Sequence, residues 1–313
     1  MRIHYDINKL PAFKNAVITI GTFDGVHEGH KKIISQLTQT ATAAGGESVI
    51  ITFHPHPRKV VSSSILGIRL INTLSEKTAL LEALGVDHLV ITPFTEVFAN
   101  QEPEAYLKDF LIKKFHPHTI IIGYDHRFGK NRRGDYKLLE NFQGTYGYQL
   151  KEIPKHILDH IGISSTKVRE AILSGDTATA SQLLGYHFFF EGEVVHGDKL
   201  GRELGYPTAN LQVQNEEKIL PGDGIYAVYA SVKLENGSYG PLLKGMMSVG
   251  FRPTVDGSKR VIEVNLFDFQ NDIYGRTLRV YVKRFLRPEE KFDSLEALIK
   301  KIDNDKVESL KVL

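Results

Sequence analysis

Apolar and polar positions change their rhythm part-way along this chain of 313 residues. In the first part, short apolar runs at residues 17–20, 48–53, 88–92 and 119–122 read as strands. Between them, residues 31–44, 75–84 and 103–114 carry apolar side chains at helical spacing. Strands alternating with helices of this size predict an α/β domain with a doubly wound parallel sheet. Ligands of such sheets bind beyond the carboxyl ends of the strands. Segments 21–30, 54–58 and 123–133 each follow a predicted strand, so they are expected to gather at one edge.

Near Leu183-Leu184-Gly185-Tyr186 the pattern changes. Short β-rich runs follow at 188–196, 224–233, 244–249, 260–267 and 277–285, separated by turns. Asn236-Gly237 is a strong hairpin signal. The pattern predicts a small antiparallel β-barrel or sandwich. A terminal helix closes the chain, with Ser294 as N-cap before Leu295-Glu296-Ala297-Leu298-Ile299. The expected division is therefore 1–185 and 186–313. No internal repeat or low-complexity segment interrupts either part.

Composition narrows the classes only slightly. Hydrophobic residues make up 42% and charged residues 24%, as in ordinary soluble domains. A net charge of +2 is too balanced for a dedicated nucleic-acid binder. There is no cysteine, hence no disulfide, thiolate metal site or thiol nucleophile, and a cytoplasmic location is favoured. No apolar run reaches the ~18 residues of a membrane span, and the first residues lack a signal-peptide core. Oligomeric state is not legible.

The richest chemistry lies in Gly21-Thr22-Phe23-Asp24-Gly25-Val26-His27-Glu28-Gly29-His30. A buried strand, a glycine-rich turn and an amphipathic helix follow one another there. Glycines let backbone approach a ligand closely. The helix start offers free N–H groups and a positive dipole end, which suit phosphate. His27 and His30 lie on one side of the first turn and could both donate to phosphoryl oxygens. Either could also be an ordinary polar residue of a helix start. His54-Pro55-His56-Pro57 adds two histidines, but the neighbouring prolines, Lys59 and Arg58 suit an anion better than a zinc ion. Lys130, Arg132 and Arg133 are balanced between a solvated loop and a phosphate contact.

Gly21–His30 contains the pattern His27-Glu28-Gly29-His30 and resembles the HxGH signature of the nucleotidyltransferase superfamily. Phe53-His54-Pro55-His56-Pro57, Gly123-Tyr124-Asp125-His126-Arg127-Phe128-Gly129 and Ile163-Ser164-Ser165-Thr166-Lys167-Val168-Arg169 are similar, in that order, to the blocks of bacterial FAD synthetases. His126 stands where that family often has an aromatic residue. Further on, Gly201-Arg202-Glu203-Leu204-Gly205-Tyr206-Pro207-Thr208-Ala209-Asn210 resembles the riboflavin kinase motif. Blocks 221–227, 248–254, 262–269, 272–275 and 285–287 continue that series. The chain is identified as similar to bifunctional riboflavin kinase/FMN adenylyltransferases from about Ala16 to Asp303.

The resemblance implies two ATP-dependent reactions, riboflavin to FMN and FMN to FAD, with Mg²⁺ as cofactor and ATP as co-substrate. It implies small-molecule partners, riboflavin, FMN and ATP, and neither nucleic acid nor membrane. His27, His30 and Arg169 would act in adenylyl transfer. Gly21, Thr22, Phe23, Asp24, Gly29, Ser164, Ser165 and Thr166 would contact ATP phosphates there, and Gly201 and Gly205 would do so in the kinase half. Asp125, Arg127, Phe128 and Arg287 would contact flavin. Glu263 would be the kinase base, and Thr208 and Asn210 would hold Mg²⁺. Read locally, Glu263 could equally be a solvent-facing strand carboxylate, and residues 163–169 a plain capped helix. No G-x-x-x-x-G-K-[ST] loop, protein-kinase motif set or G-x-G-x-x-G fingerprint is present, so any kinase chemistry needs another architecture and flavin would be substrate and product. Two other classes stay open: an adenylyltransferase for another phosphate carrying a flavin-sensing barrel, and a non-enzymatic nucleic-acid or flavin-binding protein.

Overall fold

A computed structural model describes residues 1–61, 69–153, 163–197, 201, 205–254 and 257–313, with backbone alone at 252–254 and 257–259. Two compact units divide between Ser165 and Thr166, ahead of the composition change near Gly185.

The first unit holds a six-stranded parallel sheet in the order β1-β4-β3-β2-β5-β6. The strands are β1 (Arg2–His4), β2 (Val17–Ile20), β3 (Ser48–His54), β4 (His88–Pro93), β5 (Thr119–Gly123) and β6 (Gln149–Ile153). Side-chain alternation explains their near-continuous apolar sequences. Ile18, Ile20, Val49, Ile51, Ile120 and Ile122 enter one core. Val17, Ile50, Leu89, Ile91 and Ile121 enter another. A parallel sheet covered on both faces needs apolar residues at both parities.

Helices α1 (Glu28–Ala43) and α2 (Leu74–Ala83) supply Ile34, Leu37 and Leu81 to the second core. The other face receives Tyr106, Phe110 and Phe115 from α3, which runs through Pro103–Ala105, π-helical turns at Tyr106–Ile112, and Lys113–Phe115. Helix α4 (Tyr136–Tyr146) adds Leu139. A capping box at Thr73 and Glu76 starts α2. β1 and β6 are short, largely exposed and carry little patterning of their own, whereas α4 is amphipathic, with Tyr136, Leu139, Phe142 and Tyr146 toward the core, and sequence reasoning missed it.

The second unit begins in α5 (Ser165–Leu173), continues through α6 (Thr177–Leu184), and forms a closed six-stranded barrel. Its strands are β7 (Phe189–Val195), β8 (Ala209–Gln212), β9 (Gly224–Val232), β10 (Leu243–Thr254), β11 (Gly257–Leu266) and β12 (Thr277–Arg287). Tyr226, Val228 and Ala230 of β9 and Leu278, Val280 and Val282 of β12 alternate into its interior. Short β8 was not legible as a strand; it pairs with β7 and β11 and completes the closure. Helix α7 (Leu295–Val312) starts at Ser294, whose hydroxyl accepts from the Ala297 N–H at 3.2 Å.

Ile50 is fully buried in the middle of β3. Ile50→Ala is expected to cost about 2–5 kcal/mol, measured by urea unfolding of the first unit.

Candidate functional site

Strand order places a crevice between β2 and β5. β3 and β4 lie to one side of β2, and β5 and β6 to the other, so the winding reverses there. The 21–27 turn leaves β2 at this point. The Gly21 N–H donates to the Ile51 carbonyl at 3.0 Å. The Thr22 carbonyl accepts from Thr52 Oγ1 at 3.2 Å and from Lys77 Nζ at 2.8 Å. Phe23 and Val26 take left-handed φ values of 47° and 36°. Such geometry is costly for a β-branched residue and persists where packing over-determines it. Both side chains are buried in the core that holds α1. The Asp24 carboxylate accepts from the Ile71 N–H at 3.0 Å and the Asn72 N–H at 3.2 Å, tying the turn to the segment before α2.

His27 is the N-cap of α1, and its Nδ1 accepts from the His30 N–H at 3.2 Å. That bond leaves Nε2 as the protonated nitrogen of a neutral ring. A Cβ on Gly29 would approach the His27 ring to 3.2 Å, so glycine lets the ring fold over the first turn. The two imidazoles stack, with centroids 3.6 Å apart and planes 12° apart. Burial, then the neighbouring His27 and Lys77, push His30 well below the usual histidine range. His30 is therefore neutral at pH 7, and its buried Nδ1 has no hydrogen-bond partner. A neutral imidazole pair at a helix N-terminus beside a buried ammonium favours an incoming anion.

Ser165 Oγ donates to the Asp24 carbonyl at 2.9 Å, which brings this hydroxyl to the turn. Ser164 is exposed just ahead of α5; Thr166 and Arg169 lie within α5, exposed and half-buried. The expected flavin contacts are placed less directly. Asp125 is exposed. Arg127 pairs at 2.7 Å with Asp135, the N-cap of α4. Phe128 is buried and stacks on Tyr106 at 5.0 Å. Burial, then Arg132, lower His126 to about 4, and its Nε2 is buried without a partner. Of the basic cluster, Lys130 and Arg133 both pair with Glu102, at 3.3 and 2.7 Å.

The barrel carries a cavity of about 240 Å³. It brings together Gly201, Thr208, Glu263 and Arg287 with an apolar wall that includes Met247 and Ile302. Antiparallel register sets Glu263 opposite Asn210 on β8 and opposite Ser248 on β10. Thr208 Oγ1 donates to Glu263 Oε1 at 3.4 Å. Glu263 is half-buried between Ile262 and Val264, and it faces this cavity rather than open solvent. A Cβ on Gly201 would come within 2.5 Å of the Tyr206 carbonyl, so a larger residue would push the loop aside. Gly205 turns at φ 82°. Arg202, Glu203 and Leu204 lie outside the described residues.

Helix α7 forms one wall of the cavity. The Tyr206 hydroxyl donates to Asp303, which pushes Tyr206 up to about 12 and keeps it protonated. Arg287 is clamped by Asp305: Nε donates to Oδ1 at 3.0 Å and Nη2 to Oδ2 at 2.7 Å. The hydroxyl of Thr208, the amide of Asn210 and the carboxylate of Glu263 are the hard oxygen donors that suit Mg²⁺. Among the described residues no group of three or more His, Asp or Glu could hold a metal by itself. A cation here would share its ligation with a bound phosphate.

Comparison with known proteins matches this division of sites. The FAD synthetase family model matches residues 9–167, and the riboflavin kinase model matches residues 184–313. A bifunctional riboflavin kinase/FMN adenylyltransferase of Listeria monocytogenes is 36% identical over 93% of this chain and 90% of its own. Those of Bacillus subtilis and Escherichia coli K12 are 35% and 34% identical, over 95% and 94% of this chain and 92% and 91% of theirs.

The chain belongs to the bifunctional riboflavin kinase/FMN adenylyltransferase family.

A crystal structure described as a macrolide-efflux protein from Streptococcus pneumoniae has the same fold, with a TM-score of 0.85, 29% identity and 97% of each chain covered. Among the described residues of the present chain, no helix is long and apolar enough to cross a membrane. Against the family's motifs, sequence reasoning missed Lys77 and Asp305. Each acts on a motif residue from a distant part of the chain, and neither sits in a recognisable block. Asp305 is buried and its guanidinium partner is half-buried. Asp305→Ala is expected to destabilise the barrel unit by about 1–3 kcal/mol, because it removes the main partner of the half-buried Arg287 guanidinium and leaves it Glu290 at 4.0 Å and the Pro288 carbonyl. Chemical denaturation monitored by circular dichroism measures the loss.

Proposed function

We propose that the chain carries both reactions of the family, one on each side of a functional division between residues 185 and 186. The barrel transfers the γ-phosphoryl group of ATP to the ribityl hydroxyl of riboflavin, giving FMN and ADP. The first unit transfers AMP from a second ATP to FMN, giving FAD and pyrophosphate. One observation supports this most strongly: the two family matches fall one on each unit, and each unit holds its own cluster suited to polyphosphate.

In the kinase reaction, Glu263 orients the riboflavin hydroxyl and accepts its proton as the new P–O bond forms. Its placement beside Thr208 and across from Asn210 supports that role. Thr208 and Asn210 are the residues that would hold Mg²⁺, which when bound neutralises phosphate oxygens. Gly201 and Gly205 give the phosphates room. Arg287, fixed by Asp305, lines the cavity on the side assigned to the flavin.

In adenylyl transfer the FMN phosphate is the nucleophile and is already ionised near neutral pH, so no strong base is needed. His27 and His30 stabilise charge developing on the α-phosphate as pyrophosphate leaves. Gly21, Thr22, Phe23, Asp24 and Gly29 shape the phosphate cradle. Ser164 and Ser165 supply further donors to the triphosphate, and Asp125, Arg127 and Phe128 border the flavin. Riboflavin, FMN and ATP are the partners, with the cytosol as the compartment.

Two variants test the assignment in the full-length protein by chromatography of riboflavin, FMN and FAD. Glu263→Gln is expected to cut FMN formation by about 10²–10⁴-fold with flavin binding retained. Near-normal phosphorylation by that variant removes Glu263 from the chemistry. His30→Ala is expected to lower FAD formation by ~10²–10³-fold while riboflavin phosphorylation continues. Loss of both activities in a folded protein speaks against separate sites.

A further inference from the structure

Lys77 sits in the first turn of α2 with its side chain 7% exposed. An ammonium there is badly placed for stability alone. The N-terminus of a helix is its positive end, which disfavours a cation. Its hydrogen-bond partners are neutral oxygens, the Thr22 carbonyl at 2.8 Å and Thr52 Oγ1 at 3.3 Å. The anion that acts on it is Asp24, whose carboxylate is already engaged by the Ile71 and Asn72 N–H groups. An apolar side chain of similar length would fill the same space at lower cost in desolvation. The charge is therefore placed for something outside the fold's own contacts.

Its position shows what that is. Thr22 belongs to the turn that leads into the histidine pair, and Thr52 belongs to the neighbouring strand β3. Lys77 thus bolts the turn to the sheet at the carboxyl end of β2. The same ammonium is one of the charges that act on His30, together with His27. We infer that Lys77 is a positioning residue for adenylyl transfer: its ammonium holds the Thr22 carbonyl against Thr52 and supplies a fixed, buried positive charge behind the His27–His30 pair. This inference rests on the adenylyltransferase reading of the first unit. A fixed charge in a dry site costs no reorganisation when negative charge builds up on the phosphate.

A pH signature follows. Burial, opposed by Asp24, brings Lys77 down to about 8. The cation is present below that value and lost above it, so FAD formation falls on the alkaline side. Asp24, His30 and, through the ring stack, His27 are the titratable groups that share this environment. His30, held well below the usual histidine range, is already neutral at the alkaline end.

The experiment uses the full chain with FMN, ATP and Mg²⁺, from about pH 6 to about pH 10. Lys77→Met, Lys77→Gln and Lys77→Arg are compared with wild type, and folding is checked by circular dichroism. In Lys77→Met and Lys77→Gln, kcat for FAD formation is expected to fall about 10–100-fold with little change in KM, and the alkaline limb disappears. Lys77→Arg recovers part of the rate, and its limb moves beyond the range because arginine does not titrate there. Imidazole chemical shifts of His30, followed without turnover, are expected to titrate at higher pH in Lys77→Met than in wild type. A folded Met or Gln variant with wild-type kcat, or one that loses rate but keeps the limb, overturns the inference. So does an Arg variant whose limb stays near 8, or a His30 titration that Lys77→Met leaves in place. Wild-type protein that makes no FAD refutes the adenylyltransferase reading instead, and the His30 titration still judges Lys77 by itself.

Discussion

The first unit depends on holding one turn in a conformation that a free peptide avoids. Phe23 and Val26 both carry positive φ values, and neither is glycine. Four separate attachments keep them there: Gly21 to Ile51, Thr22 to Lys77 and Thr52, Asp24 to the 71–72 backbone, and the Asp24 carbonyl to Ser165. The local strain is carried by the sheet and by α2, and in return His27 arrives at the N-cap with its ring over Gly29. A looser turn would still present two histidines, but not as a stacked, neutral pair.

The barrel solves a similar problem by register. Glu263 meets Asn210 because β11 and β8 run antiparallel with that pairing, and a one-residue slip would turn every side chain of the strand to the other face. Closure of the sheet makes such a slip hard to accommodate. The two units therefore fix their candidate sites in different ways. One uses an over-determined turn and a helix end; the other uses strand pairing and a wall formed by a terminal helix.

Much of this was readable from sequence because it is local. Buried strands such as 48–53 identify themselves by composition, and the glycines and histidines of 21–30 are contiguous. The strands that escaped notice, Arg2–His4 and Gln149–Ile153, lie at the sheet's edges, where half-exposure blurs the apolar signal. β8 escaped for another reason: it is only four residues long, and its partners define it. Glu263 looked ambiguous because alternation states that a side chain faces away from its neighbours without saying what lies there. Lys77 was hidden altogether. A lysine two residues after a helix's first serine reads as a solvated surface residue until the tertiary fold folds a turn over it.

Asp303 and Asp305 are two positions apart in α7, so they project about 160° apart around its axis. One holds Tyr206 and the other holds Arg287. Rolling the helix in either direction to relax one partner draws the other away. The two contacts together resist rotation of α7, which makes the helix a fixed wall of the cavity.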